Sequence, residues 1–345
     1  MKTRLFTIPR PEGYEQEVCA AAELLRSGQL LAIPTETVYG LGANALDPEA
    51  VRHIYEAKGR PSNNPLIIHV PSADWLERYC ENVPELAYRL ARRFWPGPLT
   101  MILQAKPVVP KATTGGLDTV AVRCPAHPVA LAIIEAAGVP IAAPSANTSG
   151  RPSCTSAAHV LEDMNGKIAG IVDGGESAVG VESTIIDLTG AQPCLLRPGG
   201  MPLEALEAVL GSVGVDRAVY RELHAGEQPK APGMAYRHYA PQAPVTVVTG
   251  APERSAAYIR SRAQADTGVI CFDEYAQMFS DLTVERLGSV HDQAAQAHRV
   301  FEALRAFDHT QVREILAQCP DPSGLGLAVQ NRLKKAAGFH TVEAL

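Results

Sequence analysis

The sequence predicts an α/β protein of two domains, a twisted mixed-sheet domain followed by a smaller parallel α/β domain. At 345 residues the chain is long for one core, and domain-size statistics favour two. Strand and helix patterns mix without strict alternation up to residue 210, but alternate cleanly from residue 244. We therefore expect one domain over 1–210, a linker over 211–243 and a second domain over 244–345.

Composition and charge indicate an ordinary globular protein. Hydrophobic residues make up 46% of the chain and charged residues 20%. The net charge of -6 argues against a large nonspecific nucleic-acid surface, which would need many Lys and Arg contacts to phosphates. Seven scattered cysteines without a CxxC pair indicate a reducing compartment. Because neither a signal-peptide pattern nor a membrane-length apolar run is found, we expect a cytoplasmic protein without membrane contact.

The elements of the first domain follow from hydrophobic spacing and from helix start and stop signals. Asp47 is a good N-cap, Pro48 suits the first helical position, and Gly59 ends this helix. Helices are predicted over 14–27, 48–58, 74–80, 84–94, 127–137, 156–164 and 203–210, and strands over 30–34, 65–70, 99–104, 119–123, 141–143, 170–173, 183–188 and 194–197.

The linker and the second domain are separated by a change in composition. Residues 211–243 are rich in Gly, Pro and charged residues. Within them, 232–241 places two Tyr, a His and an Arg between prolines, and we expect this segment to be preorganised to lie over a site. Strands are predicted over 245–248, 268–272, 284–287 and 312–317, and helices over 254–263, 293–307 and 327–337.

Glycines after the first long strand allow two interpretations. Residues 40–45 match GxGxxA, which leaves a dinucleotide site open, but the glycines lie well before the N-cap Asp47. Glycines that only form a tight turn are the commoner alternative. The chain lacks GxxxxGK[ST], HExxH and GxSxG, so a P-loop and the commonest hydrolase signatures are excluded.

Four cations stand at the ends of predicted elements, beside Pro or Gly, namely Lys58, Arg60, Arg123 and Arg197. Guanidinium groups bind carboxylate or phosphate bidentately, and lysine acts as a mobile point charge. A single arginine is most often a solvated surface charge, but four at such positions favour a shared anion pocket. We expect Lys58 and Arg60 to be solvated loop charges whose replacement leaves the domain folded.

Neutral polar residues follow another apolar strand and remain ambiguous. Ser145, Asn147, Ser149 and Ser153 could form a turn and a helix cap, or could bind a ligand. His69 lies on a predicted strand, where a histidine is more often part of the core than a ligand.

Nine stretches resemble the threonylcarbamoyl-AMP synthases in their two-domain form. They are PTETVYGLGANA (34–45), KGRPSNNPL (58–66), PGPLT (96–100), VAVRCP (120–125), PSANTSG (144–150), ESTIIDL (182–188), LRPG (196–199), PGMAYRHYAP (232–241) and GLGLAVQNRLKKAAG (324–338). The resemblance implies a YrdC-like catalytic domain and a Rossmann-like accessory domain. It implies that L-threonine, bicarbonate and ATP give threonylcarbamoyl-AMP and pyrophosphate, for the threonylcarbamoyladenosine modification next to the tRNA anticodon.

The resemblance also implies roles for individual residues. The catalytic residues would be Lys58 and Arg60. The L-threonine site would comprise Thr35, Tyr39, His69, Arg123, Ser145 and Ser183, with Tyr39 sheltering the carbamate. The ATP site would comprise Lys58, Asn63, Thr119, Asn147, Ser153, Arg197, Tyr236 and His238, and Ser145 also matches a position that faces ATP. Cys154 replaces a proline that many members have, which would make the backbone at Ser153 less rigid.

The expected partners follow from this reaction. They are ATP, L-threonine, bicarbonate and the downstream tRNA threonylcarbamoyl-transfer machinery, with a weak RNA contact. Mg²⁺ would come with the nucleotide, because no carboxylate cluster suggests a dedicated protein site. The alternative is a module that holds double-stranded RNA or tRNA without chemistry, and the acidic balance of the chain argues against it.

Overall fold

The computed structural model describes residues 2–221, 229–234 and 238–345. In these ranges twelve strands form one mixed sheet and five strands form a separate parallel sheet. This arrangement confirms the predicted fold class. No helix within these ranges is long and apolar enough to cross a membrane.

The elements are named in chain order. The strands are β1 (Arg4–Thr7), β2 (Leu31–Ile33), β3 (Gly40–Asn44), β4 (Ile67–His69), β5 (Cys80–Glu81), β6 (Leu99–Ala105), β7 (Thr119–Arg123), β8 (Ile141–Ala142), β9 (Gly170–Asp173), β10 (Thr184–Asp187), β11 (Cys194–Arg197), β12 (Gly214–Val215), β13 (Val245–Thr249), β14 (Thr267–Cys271), β15 (Thr283–Arg286), β16 (Glu314–Gln318) and β17 (Thr341–Glu343). The helices are α1 (Glu15–Arg26), α2 (Pro48–Lys58), α3 (Leu76–Tyr79), α4 (Glu85–Phe94), α5 (Lys111–Thr114), α6 (Pro128–Ala137), α7 (Ala157–Met164), α8 (Leu203–Leu210), α9 (Pro252–Arg262), α10 (Gln293–Ala306) and α11 (Gly326–Ala336).

The larger sheet has the strand order β1-β9-β2-β3-β8-β4-β7-β6-β10-β11-β12, and β5 pairs with β6. Parallel and antiparallel pairs mix within it, as β4 runs parallel to β7 and β7 antiparallel to β6. In this register His69 pairs with Arg123, and Arg123 pairs with Thr100. Paired residues point to the same face of a sheet, so these polar side chains share one face.

The smaller sheet has the order β15-β14-β16-β13-β17, and each of its pairs is parallel. Such sheets are buried on both faces, and β14 is accordingly buried at all five positions. Helices α9, α10 and α11 pack against this sheet. The architecture agrees with the expected Rossmann-like α/β unit.

Gly40 and Gly42 are not turn residues, which corrects the sequence-based interpretation. Both lie in β3, a central strand that pairs with β2 and β8. A Cβ added at Gly42 would lie 3.0 Å from both the Leu31 carbonyl oxygen and Ile141 Cγ2. The glycines are therefore needed because neighbouring strands pack closely here, a reason that hydrophobic periodicity does not reveal.

The two units pack tightly against each other. Gly180, in the loop before β10, adopts φ +81°, and a Cβ there would lie 2.6 Å from the Ala297 carbonyl oxygen of α10. Val38 and Val181 belong to the same buried apolar cluster as Phe301 of α10. The second unit is therefore close enough to contribute to a site in the first.

Candidate active site

A pocket lies against the polar face of the larger sheet, bordered by the loop after β8 and by the 232–234 and 238–239 segments. Ten of the predicted site residues line it, namely Thr35, Lys58, Arg60, His69, Arg123, Ser145, Asn147, Ser183, Arg197 and His238. The tertiary structure thus brings together residues that are as far as 203 positions apart in the chain.

Four other predicted residues are not among those that line the pocket. Tyr39 is buried and donates a 2.6 Å hydrogen bond to the Gly175 carbonyl. Ser153 is also buried, Asn63 is exposed, and Thr119 lies at the opposite end of β7 from Arg123. Tyr236 falls outside the described residues. The binding roles of these five residues remain predictions, as do those of the ten residues that line the pocket.

Lys58 is buried and is the last residue of α2. Asp47 caps the start of this helix, and Gly59 ends it with φ 63°. Its Nζ donates to the backbone carbonyls of Ser145 (2.5 Å) and Asn147. Burial, and then repulsion by a neighbouring guanidinium, lower the pKa of Lys58 to about 7. The ammonium group is thus fixed in place but is easily deprotonated.

Arg60 is also buried, with 9% of its surface exposed. It donates to the carbonyls of Asn64 (3.4 Å) and Pro65 (3.1 Å), and burial lowers its pKa to about 10. The expectation that Lys58 and Arg60 are solvated loop charges is therefore wrong. The pattern of a charged, Pro-rich loop does not reveal that the loop folds inward against the sheet.

Arg123 is held by three partners. It donates to Thr37 Oγ1 at 2.9 Å and to the Gly97 carbonyl at 3.3 Å, and it forms an ion pair with Glu36 at 2.7 Å. Sequence reasoning missed Glu36 and Thr37 as groups that orient this guanidinium, although both lie within the PTETVYG motif. A planar guanidinium fixed in this way suits a substrate carboxylate.

His69 is a neutral hydrogen-bonding residue in this pocket. It is buried, and its Nδ1 lies 3.3 Å from the Ile141 carbonyl oxygen. Burial, and then the neighbouring Arg123, lower the pKa of His69 to about 3. The side chain can therefore exchange hydrogen bonds with a substrate but adds no charge.

Arg197 joins the pocket wall to the linker. It donates to the Ser183 carbonyl at 2.8 Å and to Ser183 Oγ at 3.3 Å, and to the Pro232 carbonyl at 3.1 Å. Ser183 Oγ also lies 2.7 Å from Thr100 Oγ1. Burial lowers the pKa of Arg197 to about 10, a value at which it stays cationic at neutral pH.

The loop after β8 is shaped by its own side chains. Ser145 Oγ lies 2.5 Å from Asn147 Oδ1, and Asn147 Nδ2 donates to the carbonyls of Thr148 and Arg151, each at 2.8 Å. Ser145 and Asn147 therefore stabilise a turn and also line the pocket. The turn and ligand-binding alternatives are compatible at these positions.

The backbone around Ser153 is held by the second unit of the protein. Arg305 of α10 donates to the carbonyls of Pro152 (2.7 Å) and Ser153 (3.4 Å), and lies 3.2 Å from Cys154 Sγ. The replacement of proline by Cys154 was expected to loosen this backbone. Instead, Arg305 fixes it through contacts that the local sequence cannot show.

His238 and Tyr239 also line the pocket. The Tyr239 ring lies 5.1 Å from that of Phe301, and the neighbouring Ala240 amide donates to the Gly150 carbonyl at 2.9 Å. Burial lowers the pKa of His238 to about 3, and its buried Nε2 has no hydrogen-bond partner among the described residues. This nitrogen is available to a ligand.

Two family models match the chain. Residues 23–199 match a model described as Telomere recombination. Residues 201–338 match one described as Threonylcarbamoyl-AMP synthase, C-terminal domain.

Several known proteins are similar over almost the whole length. The threonylcarbamoyl-AMP synthase of Pyrococcus abyssi is 51% identical over 338 residues, covering 95% of this chain and 96% of the relative. That of Bacillus subtilis is 48% identical over 331 residues, with 95% of each covered. The crystal structure of P. abyssi Sua5 complexed with L-threonine aligns with a TM-score of 0.91 at 49% identity, covering 99% of this chain and 100% of that one. The chain therefore belongs to the threonylcarbamoyl-AMP synthase family.

Proposed function

We propose that this protein is an L-threonylcarbamoyladenylate synthase, which makes threonylcarbamoyl-AMP and pyrophosphate from L-threonine, bicarbonate and ATP. The observation that carries the proposal is the convergence of four buried cations, Lys58, Arg60, Arg123 and Arg197, on one pocket. Buried cations are costly unless they are paired or bind anions. Arg123 pairs with Glu36, whereas the hydrogen bonds that Lys58, Arg60 and Arg197 donate among the described residues go to neutral carbonyl or hydroxyl oxygens. A pocket for a carboxylate, a carbamate and a triphosphate explains why the fold accommodates them.

The reaction needs two bond-forming steps in this pocket. The threonine amine condenses with bicarbonate to a carbamate, with loss of water. A carbamate oxygen then attacks the α-phosphorus of ATP, the bond from this phosphorus to the bridging oxygen of the β-phosphate breaks, and pyrophosphate leaves. Lys58 and Arg60 would stabilise the negative charge that develops, and the rigid walls would align the reactants.

We assign the threonine side of the pocket to Thr35, Tyr39, His69, Arg123, Ser145 and Ser183, with Tyr39 sheltering the carbamate. Arg123 would bind the amino-acid carboxylate, since its guanidinium is already oriented by Glu36 and Thr37. The ATP side would be formed by Lys58, Asn147, Arg197 and His238, together with Asn63, Thr119, Ser145, Ser153 and Tyr236. The structure of P. abyssi Sua5 complexed with L-threonine supports L-threonine as a substrate.

Mg²⁺ would enter as the companion of ATP. Among the described residues no group of three or more His, Cys, Asp or Glu side chains could hold a metal ion. The pocket carboxylate, Glu182, is already engaged by Arg332 at 2.7 Å. Mg²⁺ usually retains several waters and binds through substrate phosphates. It would therefore be held mainly by the phosphates of ATP and by water.

We further propose that residues 1–210 form the catalytic domain, 211–243 the linker over the site, and 244–345 the accessory domain. The product would pass to a downstream enzyme that transfers the threonylcarbamoyl group to the adenosine next to the tRNA anticodon.

Pyrophosphate release tests the proposed function. Purified protein incubated with ATP and Mg²⁺ is expected to release pyrophosphate only when both L-threonine and bicarbonate are present, with one threonylcarbamoyl-AMP formed for each pyrophosphate. Serine and glycine at the same concentration serve as matched controls. Release that does not depend on threonine would contradict the proposal, and RNA binding without any release would favour the RNA-binding alternative.

A pH dependence of ATP affinity is expected from Lys58. In the free protein its pKa is about 7, and a bound triphosphate favours the ammonium form, so binding above this pH must take up a proton. The association constant for ATP should then fall by up to about tenfold per pH unit above pH 7. This pH dependence of ATP affinity should be lost in Lys58→Met. It should be kept in Lys111→Met, the control, because Lys111 is exposed. Calorimetric titrations from pH 6 to 9 measure it, and an equal slope in both variants would contradict the assignment.

A further inference from the structure

Glu182 is the one carboxylate among the described residues that line the pocket. The other charged groups there are Lys58, Arg60, Arg123 and Arg197. A carboxylate in such a poorly solvated place would repel a polyphosphate, because like charges interact strongly where water cannot screen them. An anion site can tolerate Glu182 only if a cation neutralises it.

That cation comes from the second unit of the protein. Arg332, on α11, is fully buried, and its Nε donates to Glu182 Oε2 at 2.7 Å. The other carboxylate oxygen, Oε1, accepts a 2.6 Å hydrogen bond from Ser153 Oγ. Burial alone would raise the pKa of Glu182, but Arg332 and then Arg197 lower it to about 2. Glu182 is thus charged and has a partner on each oxygen.

Arg332 is itself held in position. Its Nη1 donates to Asn331 Oδ1 at 3.0 Å, and Asn331 Nδ2 donates to the Val219 carbonyl at 2.8 Å. Its guanidinium carbon lies 5.4 Å from the centroid of the Tyr239 ring. The ion pair therefore connects α11 with the linker and with the pocket wall.

We propose that Arg332 is a positioning residue of the nucleotide pocket, which neutralises Glu182 and holds its carboxylate away from the polyphosphate. The inference rests on the proposed function, because ATP is the anion concerned. The accessory domain would therefore take part in nucleotide binding. The docking of α11 against the catalytic domain sets the net charge that an incoming nucleotide meets.

Calorimetric binding of ATP, ADP and AMP, without threonine, tests this inference on folded protein. Arg332→Met should weaken ATP binding by about tenfold, and ADP and AMP binding progressively less, because repulsion from the released carboxylate scales with ligand charge. Arg332→Lys keeps the charge but loses the hydrogen bond to Asn331 and the contact with the Tyr239 ring, so it should bind ATP more tightly than Arg332→Met and less tightly than the wild type. Removing the carboxylate as well, in Glu182→Gln with Arg332→Met, should restore ATP binding to within about threefold.

A surface arginine of the same unit provides the matched control. Arg260 pairs with Asp281 at 2.8 Å on the surface, and Arg260→Met should leave the binding of all three nucleotides unchanged. Equal losses for the three nucleotides in Arg332→Met, or a double variant as weak as the single one, would overturn the inference. If Arg332→Met does not fold, the ATP affinity of Glu182→Gln alone tests the inference. This variant should bind ATP at least as tightly as the wild type, and weaker binding would overturn the inference.

The two proposals fail in different ways. A wild-type protein that binds ATP but releases no threonine-dependent pyrophosphate overturns the proposed function. The ranking of ATP, ADP and AMP among the variants still decides the role of Arg332 in that case.

Discussion

Lys58→Ala is expected to lower the rate of pyrophosphate release by roughly 100- to 1,000-fold, the range seen when one preorganised donor to a developing charge is removed. The ammonium group is buried and held by the Ser145 and Asn147 carbonyls, so it needs no reorganisation when the triphosphate arrives. Its removal deletes one of the four pocket cations. The initial rate at saturating ATP, threonine and bicarbonate measures the effect.

The same substitution should also affect stability. It leaves the half-buried Ser145 carbonyl and the buried Asn147 carbonyl without this donor, and one unsatisfied buried group costs about 1–3 kcal/mol. Lys106→Ala provides the control, because Lys106 also donates from its Nζ to a backbone carbonyl, that of Glu77, but in an exposed position.

A Lys58→Ala protein that releases pyrophosphate at a rate within threefold of the wild type would contradict the placement of the anion pocket.

Arg305→Met is expected to destabilise the protein by about 1–3 kcal/mol, because it leaves the Pro152 and Ser153 carbonyls without their donor, while Arg151 still pairs with Asp163. Arg305 is 2% exposed, and its two terminal nitrogens lie 3.2 and 3.1 Å from the carboxylate oxygens of Asp163. That carboxylate also accepts from the Thr148 amide at 2.8 Å. The loss should therefore loosen both the contact between the two units and the loop after β8.

Urea unfolding followed by tryptophan fluorescence and circular dichroism measures this effect. Arg313→Met is the control. Arg313 is exposed and forms an ion pair with Asp266 at 3.5 Å, and exposed ion pairs contribute little to the free energy of unfolding. Its unfolding midpoint should match that of the wild type. An equal midpoint for Arg305→Met would mean that the Pro152 and Ser153 carbonyls are satisfied without Arg305 and would contradict the proposed role of this contact.

The helices and strands could largely be predicted, because their signals are local. Asp47 and Pro48 mark the start of α2 and Gly59 its end, as the structure confirms. Gly40 and Gly42 were misinterpreted, since a glycine that permits close strand packing has the same sequence context as a glycine in a turn. The distinction depends on Leu31 and Ile141, which lie on neighbouring strands.

The candidate site was predicted only in part. Ten of the predicted residues line one pocket. They were identified because the motifs resemble those of a known family, whereas hydrophobic periodicity does not indicate which residues form a site. Glu182, Arg305 and Arg332 were missed, since an isolated charged residue gives no sign that it will be buried. Their importance comes from partners about 150 positions away in the chain, such as Ser153 for Arg305.

The sequence by itself determined the two-part α/β organisation, the cationic loop at Lys58 and Arg60, and the family to which the chain belongs. These properties are carried by short motifs and by the spacing of apolar residues. The tertiary structure alone decided that both cations are buried, that Glu182 is neutralised by Arg332, and that the second unit contributes to the pocket. The physical reason is that burial and charge pairing depend on the dielectric surroundings and on distant partners, which only the folded chain brings together.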